Sequence, residues 1–451
     1  MNTKSKTDKP GFLYRLLKTY LRFIHDKLYY RHTYRLNHEN IPPDGVPLMV
    51  VSNHQNCLND PLGILFTFRD RKPNFITRSD VFRYHPLANK FLRSIGLLPA
   101  FRINYEGVEA LSNNKETFHI TEQALINGRT IVMYPEAGHQ DKHWLGDFSF
   151  GYTKLAFEAA ELNNFETDIL ILPSCNHYSD YYHIQEQLLV KFGTPISLQP
   201  YYELYKTKPR TAQRQVNALV RQQINDLMLN IEDLDNYQAI DFLRNTYGKK
   251  YAQAHGYDQE RLPDRLLSDK AFVADLEKAK SKNKETISEI YQQATKLEKG
   301  IKELNINDQL FDKVPSCGRV FLHLFLCLIL FPLWIFSLWP NALNFVIPKL
   351  LISRMTDKMF FGTFLFAFSV LLTIPIFYTL TFILAYIYIN IWIALIYLAL
   401  LPLLGLFAWY YRKSFIQICQ VMRFRKDINT TKLNILRNIR TDIYQKLDAL
   451  L

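Results

Sequence analysis

The stretch "PLMVVSNHQNCLNDP", residues 47–61, decides how the chain begins to fold. It opens on a short apolar run, which is typical of a strand buried on both faces of a sheet. His54 follows that run, and Asp60 comes six residues later. A histidine with a carboxylate so close can act as a general base with its orienting partner. The same residues can also form an ordinary strand-to-helix cap, so the rest of the chain has to distinguish the two.

Further short apolar runs follow and predict more strands. Amphipathic helical stretches separate most of them, as at 81–94, 114–127 and 151–162. Alternating strands and helices are typical of an α/β domain in which helices flank a sheet, and we expect this domain to span residues 36–235. The predicted strands lie at 47–51, 74–77, 96–101, 130–135, 168–174 and 188–193.

The second half of the chain predicts helices of two kinds. Residues 236–315 are charged and helical in pattern, with an apolar stripe from Ile287 to Leu304 that is typical of helix packing. The runs 320–348 and 360–411 contain no Asp, Glu, Lys or Arg. Because a helix needs roughly 20 apolar residues to cross the hydrocarbon core, these runs predict a membrane domain over residues 316–411.

The two uncharged runs differ in length and in proline content. The run 360–411 is long enough for two spans that turn near Asn390. The earlier run is too short for two spans, and Pro332, Pro340 and Pro348 interrupt it. We therefore expect a re-entrant hairpin over residues 320–352.

The net charge of +12 is concentrated at the two ends of the chain. Residues 1–35 carry nine Lys/Arg and two Asp, a net +7, and residues 411–451 carry nine Lys/Arg and three Asp, a net +6, which leaves −1 for the middle. Residues 1–35 predict a basic amphipathic helix, either an interfacial anchor or a helix packed on the soluble domain. Residues 412–451 predict a basic amphipathic tail. This distribution indicates contact with anionic membrane lipids and argues against nucleic acid.

The basic residues around the apolar runs predict the orientation of the protein in the membrane. They cluster near Arg319, near Lys349 and Arg354, and at Arg412 and Lys413. The positive-inside rule assigns all three clusters, and with them the soluble domain, to the cytoplasmic side. The five scattered cysteines lack metal-ligand spacing and indicate a reducing compartment.

Four segments with chemically useful side chains end or follow predicted strands. In an α/β sheet, loops at the carboxyl ends of strands converge on one crevice, so these segments can face a common site. A histidine held by a carboxylate can take a proton from an alcohol, and an arginine can bind phosphate with its planar fork. The substrate expected beside a membrane is then a small phosphorylated alcohol. The segments are Asn53-His54 with Asp60, "GLLPAFR" ending in Arg102, "YPEAGH" over 134–139 and "LPSCNHY" over 172–178.

In order and spacing these motifs resemble those of the glycerolipid acyltransferases over roughly residues 30–235. The usual first motif is His-x4-Asp, but Asn59 stands at that place here and Asp60 makes it His-x5-Asp. The longer spacing is similar to the glycerol-3-phosphate/dihydroxyacetone-phosphate acyltransferase branch. In the third motif, Ala137 replaces the family's glycine and His139 stands where a basic residue is expected.

The resemblance implies an enzyme that transfers an acyl chain from acyl-CoA or acyl carrier protein to a hydroxyl, without metal or prosthetic group. His54 is the expected base and Asp60 its orienting partner. Arg102, Glu136, Gly138 and His139 are the expected substrate-binding residues. The first acceptor is glycerol 3-phosphate, at sn-1, in phospholipid synthesis; 1-acylglycerol 3-phosphate is the alternative, and dihydroxyacetone phosphate stays open.

Three other readings of the sequence stay open beside this one. Cys57 lies three residues from His54 and is a candidate covalent nucleophile. A lipid-binding scaffold that retains the fold without activity is the non-enzyme alternative, which the altered third motif favours. A lipid transporter is a third reading, although two full spans are few for a transport pathway.

Overall fold

The structure is a computed structural model of the chain, and it describes residues 10–82, 85–100, 109–136, 138, 140–355 and 360–451. The described residues form two compact units. The first contains the residues up to Asn230 and residues 360–363. The second contains the other residues from Ile231 onward.

The first unit is built on a sheet of eight strands within the described residues, in the order β1-β7-β6-β2-β5-β3-β4, with β8 paired to β6. Most neighbours run parallel, but β7 and β8 run antiparallel to β6, so the sheet is mixed. The strands are β1 Tyr30–Leu36, β2 Leu48–Ser52, β3 Asn74–Arg78, β4 Leu97–Ala100, β5 Thr130–Met133, β6 Leu170–Tyr178, β7 Glu186–Phe192 and β8 Ile196–Ser197.

Helices flank this sheet and complete its core. Side chains such as Leu155 of α5 and Ile224 of α7 are fully buried in one cluster with Ile131 of the sheet. This arrangement confirms the α/β fold that the alternating pattern predicts. The helices of the unit are α1 Phe12–Phe23, α2 Asn59–Leu65, α3 Pro86–Ser94, α4 Glu109–Ile126, α5 Gly151–Leu162, α6 Tyr202–Thr207 and α7 Pro209–Leu227.

Strand β2 occupies the middle of the sheet, and every one of its residues is buried. A strand with parallel neighbours on both sides and covered faces has no polar face, which explains its continuous apolar sequence. Val51 pairs with Met133 of β5 and with Pro173 of β6. The carboxyl ends of these three strands therefore lie side by side, and the polar segments that follow them meet there.

Strand β1 corrects the expectation that residues 1–35 form a helix. Helix α1 ends at Phe23, a π-helical turn covers Ile24–Tyr29, and the chain then pairs parallel with β7. The segment "YRHTYRL" contains two arginines and no apolar run, so only the pairing with β7 reveals it as a strand. Its tyrosines and threonine suit a strand once a partner is present.

Helix α1 packs on its unit, which is one of the two alternatives that the sequence left open. Lys18 is buried, and its Nζ donates to the carbonyl oxygens of Phe68 at 2.5 Å and Arg71 at 3.1 Å, which fastens the helix to its unit. Burial lowers the pKa of Lys18 to about 8. On the other side Phe12 and Leu13 are 78% and 76% exposed. One face thus packs on the domain and another is available to a lipid surface.

The second unit contains a bundle of soluble-type helices, to which the C-terminal tail belongs. The stripe predicted near Ile287 is buried, as packing requires. Basic residues of the tail form ion pairs inside this unit, such as Lys432 with Glu303 at 2.8 Å and Arg440 with Asp308 at 2.9 Å. Part of the tail's charge is therefore neutralised by protein. The helices are α8 Tyr237–Asn245, α9 Tyr247–Ala254, α10 Leu262–Lys282, α11 Lys284–Leu304 and, from the tail, α16 Thr431–Leu450.

Three helices in the described part of the chain are long and apolar enough to cross a membrane: Cys317–Ala342, Gly362–Tyr388 and Ile391–Lys426. They belong to α12 Cys317–Ser353, to α13 Phe360–Phe368 with a π-helical segment and α14 Thr379–Tyr388, and to α15 Ile391–Lys426.

The re-entrant hairpin predicted over residues 320–352 is not present, because α12 is one continuous helix of 37 residues with three internal prolines. Each proline removes one backbone hydrogen bond, whereas a turn in an apolar environment leaves several backbone groups without partners. A continuous helix is the less costly arrangement, and the three prolines remain inside it.

Gly128 provides a test of this fold. It has a φ of +74°, and a Cβ there would collide with the carbonyl group of Gly45. Gly256 has a similar φ of +75° but open space around it. We expect Gly128→Ala to lower the melting temperature of the detergent-solubilised protein by at least about 5 °C, and Gly256→Ala by about 2–4 °C, because only the first adds a collision to the backbone strain. Equal shifts would contradict the close approach of Gly128 and Gly45.

Candidate active site

The loop after β2 is fastened to the sheet by Asn53, which is fully buried. Its side-chain nitrogen donates to the carbonyl oxygen of Asn176 at 3.0 Å, and its side-chain oxygen accepts from the amide of Asn176 at 2.8 Å. This pair of bonds extends the link between β2 and β6 by one residue beyond the strand end. The backbone leading into His54 is thereby held in place.

Asp60 lies in the first turn of α2, and its carboxylate is the centre of the loop. Its Oδ2 accepts from His54 Nδ1 at 2.7 Å and from the backbone amides of Gln55 at 2.7 Å and Asn56 at 2.8 Å. Its Oδ1 accepts from the hydroxyl of Tyr178 at 2.5 Å. The carboxylate is fully buried, so these four donors replace the water that it has lost.

The contact with Asp60 determines which nitrogen of His54 can act as a base. An ionised carboxylate only accepts hydrogen bonds. Nδ1 of His54 therefore carries a proton and donates a hydrogen bond to Asp60. The neutral imidazole then presents Nε2 as its proton acceptor. The side chain of His54 is 20% exposed while that of Asp60 is inaccessible, as expected for a base that meets substrate and a partner that does not.

The structure also shows how a loop with five residues between His54 and Asp60 is built. Cys57 adopts a φ of +37°, and the chain turns there before α2 begins. Asn59, at the position of the usual aspartate, is turned away and donates to the side chain of Asn56 at 3.2 Å. The partner of His54 is therefore Asp60, one residue later.

Glu136 holds the backbone of His54. Its Oε1 accepts from the amide of His54 at 2.9 Å, and its Oε2 accepts from the amide of Gly146 at 2.9 Å. The carbonyl oxygen of His54 accepts from the amide of Gln140 at 3.2 Å. Both backbone groups of His54 are thus bonded to the segment that follows β5. Burial raises the pKa of Glu136 above its ordinary value, although the two amides oppose that effect.

Aromatic side chains complete the surroundings of the histidine. The ring of Tyr134 stacks on the imidazole of His54, with centroids 4.4 Å apart and planes 25° from parallel. Gln55, buried beside the loop, accepts from the hydroxyl of Tyr181 at 3.1 Å and donates to the carbonyl oxygen of Lys142 at 2.9 Å. These contacts restrict the imidazole to one orientation.

The other predicted site residues lie in different situations. Arg102 and His139 fall outside the described residues. Gly138 is exposed, and among the described residues a Cβ there would meet the carbonyl oxygen of Glu136, at 3.9 Å. The thiol-bearing Cys57 is buried, which is unfavourable for a nucleophile that has to reach a substrate.

Several residues of the site were not predicted individually. Tyr134 and Tyr178 lie in segments that the sequence singles out, but neither was assigned a role. What indicates their involvement is their position, at the start of "YPEAGH" for Tyr134 and at the end of "LPSCNHY" for Tyr178. Gln55 and Tyr181 carry no such signal, because their contact joins positions 126 residues apart.

Comparison with known proteins identifies the domain. Residues 34–176 match the model of the acyltransferase family. This part of the chain is therefore similar to an acyltransferase domain. This match confirms the resemblance to the glycerolipid acyltransferases, and the matched residues include both His54 and Asp60.

A solved structure similar to the chain is that of the 1-acyl-sn-glycerophosphate (LPA) acyltransferase PlsC from Thermotoga maritima. The similarity covers 48% of this chain and 79% of that chain, with 17% sequence identity and a TM-score of 0.36. No match was found among curated proteins.

The contacts of Glu136 generate a prediction for this acyltransferase domain. Glu136→Gln replaces one carboxylate oxygen with a donor that faces a backbone amide, so one of the two bonds is lost. Gly146→Ala places a Cβ 2.8 Å from Glu136 Oε2 and displaces the carboxylate without changing its chemistry. We expect each variant to lower kcat by about 10- to 100-fold, because a misplaced base loses much of its effect.

The measurement is acyl-thioester turnover, with Gly11→Ala as the control because a Cβ at Gly11 would meet nothing within 4 Å among the described residues. Full activity of Gly146→Ala would show that the position of Glu136 is unimportant.

Proposed function

We propose that this membrane-associated acyltransferase transfers a fatty acyl chain from acyl-CoA or acyl carrier protein to the sn-1 hydroxyl of glycerol 3-phosphate. The observation that supports it most directly is the 2.7 Å contact between His54 Nδ1 and Asp60 Oδ2 in a domain of the acyltransferase family. The contact orients the base that such a transfer needs.

In the proposed reaction, His54 Nε2 takes the proton from the acceptor hydroxyl while the oxygen attacks the thioester carbonyl carbon. The C–O bond forms, the tetrahedral intermediate collapses, and the C–S bond breaks. The imidazolium returns its proton to the departing thiolate, so the histidine is regenerated. Asp60 stays ionised throughout and stabilises the imidazolium.

The expected substrate contacts remain part of the proposal. Arg102 binds the acceptor phosphate with its planar fork, and Gly138 and His139 help to position the acceptor. Glu136 was first expected to bind substrate. Both of its oxygens accept from backbone amides, and this supports a positioning role beneath His54 instead.

The acceptor is the finer part of the proposal. Glycerol 3-phosphate is supported by the His-x5-Asp spacing, through its similarity to the glycerol-3-phosphate branch of the family. 1-Acylglycerol 3-phosphate, which would yield phosphatidic acid, is the second candidate, since it also presents a hydroxyl near a phosphate. A lipid-binding scaffold remains the non-enzyme alternative.

The role of His54 is tested by substitution. We expect His54→Ala to lower kcat by about two to four orders of magnitude, the usual effect of losing a general base. Cys57→Ser keeps a small buried side chain and should retain activity within about threefold, because direct transfer needs no acyl-enzyme. An acylated Cys57 recovered by mass spectrometry would replace the direct mechanism with a covalent one.

The substrate is tested on the full-length protein in lipid nanodiscs. Each acceptor is supplied with acyl-CoA or with acyl carrier protein thioester, and the lipid product is identified. We expect lysophosphatidate from glycerol 3-phosphate. Product formed only from 1-acylglycerol 3-phosphate would establish the second candidate. Absence of thioester cleavage with every acceptor would support the scaffold.

We further propose that the first unit faces the cytoplasm. The net charge of +7 over residues 1–35 supports this side, as do the acyl donors, which are cytoplasmic molecules. The predicted assignment of the basic clusters near Arg319 and near Lys349 to the same side required the re-entrant hairpin, and the continuous α12 removes that hairpin. The orientation therefore rests on charge and substrate supply, and it requires a direct test.

Thiol labelling in intact cells provides that test. In a chain with Cys317, Cys327 and Cys419 replaced by serine, we expect Glu203→Cys to react with a membrane-impermeant maleimide only after permeabilisation. Glu203 is an exposed residue of α6 in the first unit. Labelling of Glu203→Cys in intact cells, before permeabilisation, would place the first unit outside.

A further inference from the structure

Tyr178 occupies the last position of β6, behind the carboxylate that orients His54. It is 2% exposed, and its hydroxyl donates to Asp60 Oδ1 at 2.5 Å. Its backbone pairs with Leu188 of β7 in the antiparallel part of the sheet. Its ring contacts those of Tyr30 and Tyr181, with centroids 6.1 and 5.5 Å away. The sheet and these rings thus fix the position of the hydroxyl.

We propose that Tyr178 is a positioning residue of the acyl-transfer site, which acts on His54 through Asp60. The inference rests on the proposed function and deepens it. Three donors meet Asp60 Oδ2, but all of them come from residues 54–56, the loop that the carboxylate has to organise. Tyr178 is the donor to the other oxygen, and it comes from the rigid sheet, 118 residues away.

Two physical consequences follow from this placement. A donor on each oxygen prevents the carboxylate from rotating, so Oδ2 stays in line with His54 Nδ1. Burial and the charge of Asp60 raise the pKa of Tyr178 well above its ordinary value, so the hydroxyl keeps its proton and remains a donor. A donated hydrogen bond draws negative charge toward Oδ1. The carboxylate then stabilises the imidazolium less strongly than it would without the hydrogen bond from Tyr178.

This account predicts a change in the pH profile that a structural role alone does not produce. In Tyr178→Phe more negative charge faces the imidazole, so the imidazolium persists to higher pH. We expect the acid limb of the kcat/KM profile to move to higher pH. We also expect kcat at the optimum to fall about tenfold while KM for both substrates stays within about twofold, because Tyr178 does not touch them.

Tyr152→Phe is the matched control. Tyr152 is also a fully buried tyrosine of the first unit, and its hydroxyl donates to Asn217 at 2.7 Å between α5 and α7. Losing that bond should lower the melting temperature and leave both kcat and the pH profile unchanged. An unmoved acid limb and a kcat within twofold of wild type in Tyr178→Phe would overturn the proposal.

A second variant covers the case in which Tyr178→Phe does not fold. Site-specific 3,5-difluorotyrosine at position 178 keeps the size of the ring and makes the hydroxyl a stronger donor. The acid limb should then move to lower pH, opposite to the direction expected for phenylalanine. A shift in the same direction for both variants, or no shift in the fluorinated protein, would contradict the proposed action of Tyr178 on His54 through Asp60.

A readout that does not need acyl transfer separates this inference from the proposed function. Diethyl pyrocarbonate reacts with a histidine only when its imidazole is neutral, so modification of His54, identified at that site by mass spectrometry across pH, reports when the ring loses its proton. The half-point of modification should move to higher pH in Tyr178→Phe and not in Tyr152→Phe. If this shift occurs in a protein that acylates none of the acceptors, the inference about Tyr178 stands and the proposed function fails. If acyl transfer occurs without the shift, only the inference about Tyr178 fails.

Discussion

The buried charge of Asp60 is the constraint on which the site depends. An ionised carboxylate without water costs several kcal/mol unless hydrogen-bond donors surround it. The protein supplies two amides and an imidazole from the loop and a phenol from β6. The loop can therefore keep this conformation only while Asp60 is present, and the orientation of His54 is a consequence of satisfying that charge.

The sheet makes this arrangement possible because it places three carboxyl ends beside one another. β2 lies between β5 and β6, and each of the three contributes one part of the site: the His54 loop, Glu136 and Tyr178. Asn53 and Glu136 fix the backbone on either side of the imidazole, while Asp60 fixes the ring. An imidazole held at so many points needs little reorganisation when substrate arrives, as the proposed role of His54 as a base requires.

Association with a membrane follows from other parts of the chain. Three long apolar helices are available to cross a bilayer, and the exposed side chains Phe12 and Leu13 give α1 an apolar face. Lys18 fastens that helix to its unit, so these exposed side chains and the sheet belong to one body. The proposed acyl transfer would then form its lipid product close to the surface that receives it.

The sequence by itself determined the α/β pattern, the apolar helices and the His54–Asp60 pair, because each depends on short-range spacing and on side-chain chemistry. Tertiary structure alone decided that "YRHTYRL" is a strand, since its partner β7 lies more than 150 residues away. It also decided that α12 continues through three prolines, because the cost of an unpaired turn depends on the surroundings. The contacts of Glu136 and Tyr178 were hidden for the same reason. A carboxylate or a phenol shows its function only through what it touches, and here those contacts join residues 82 and 118 positions apart.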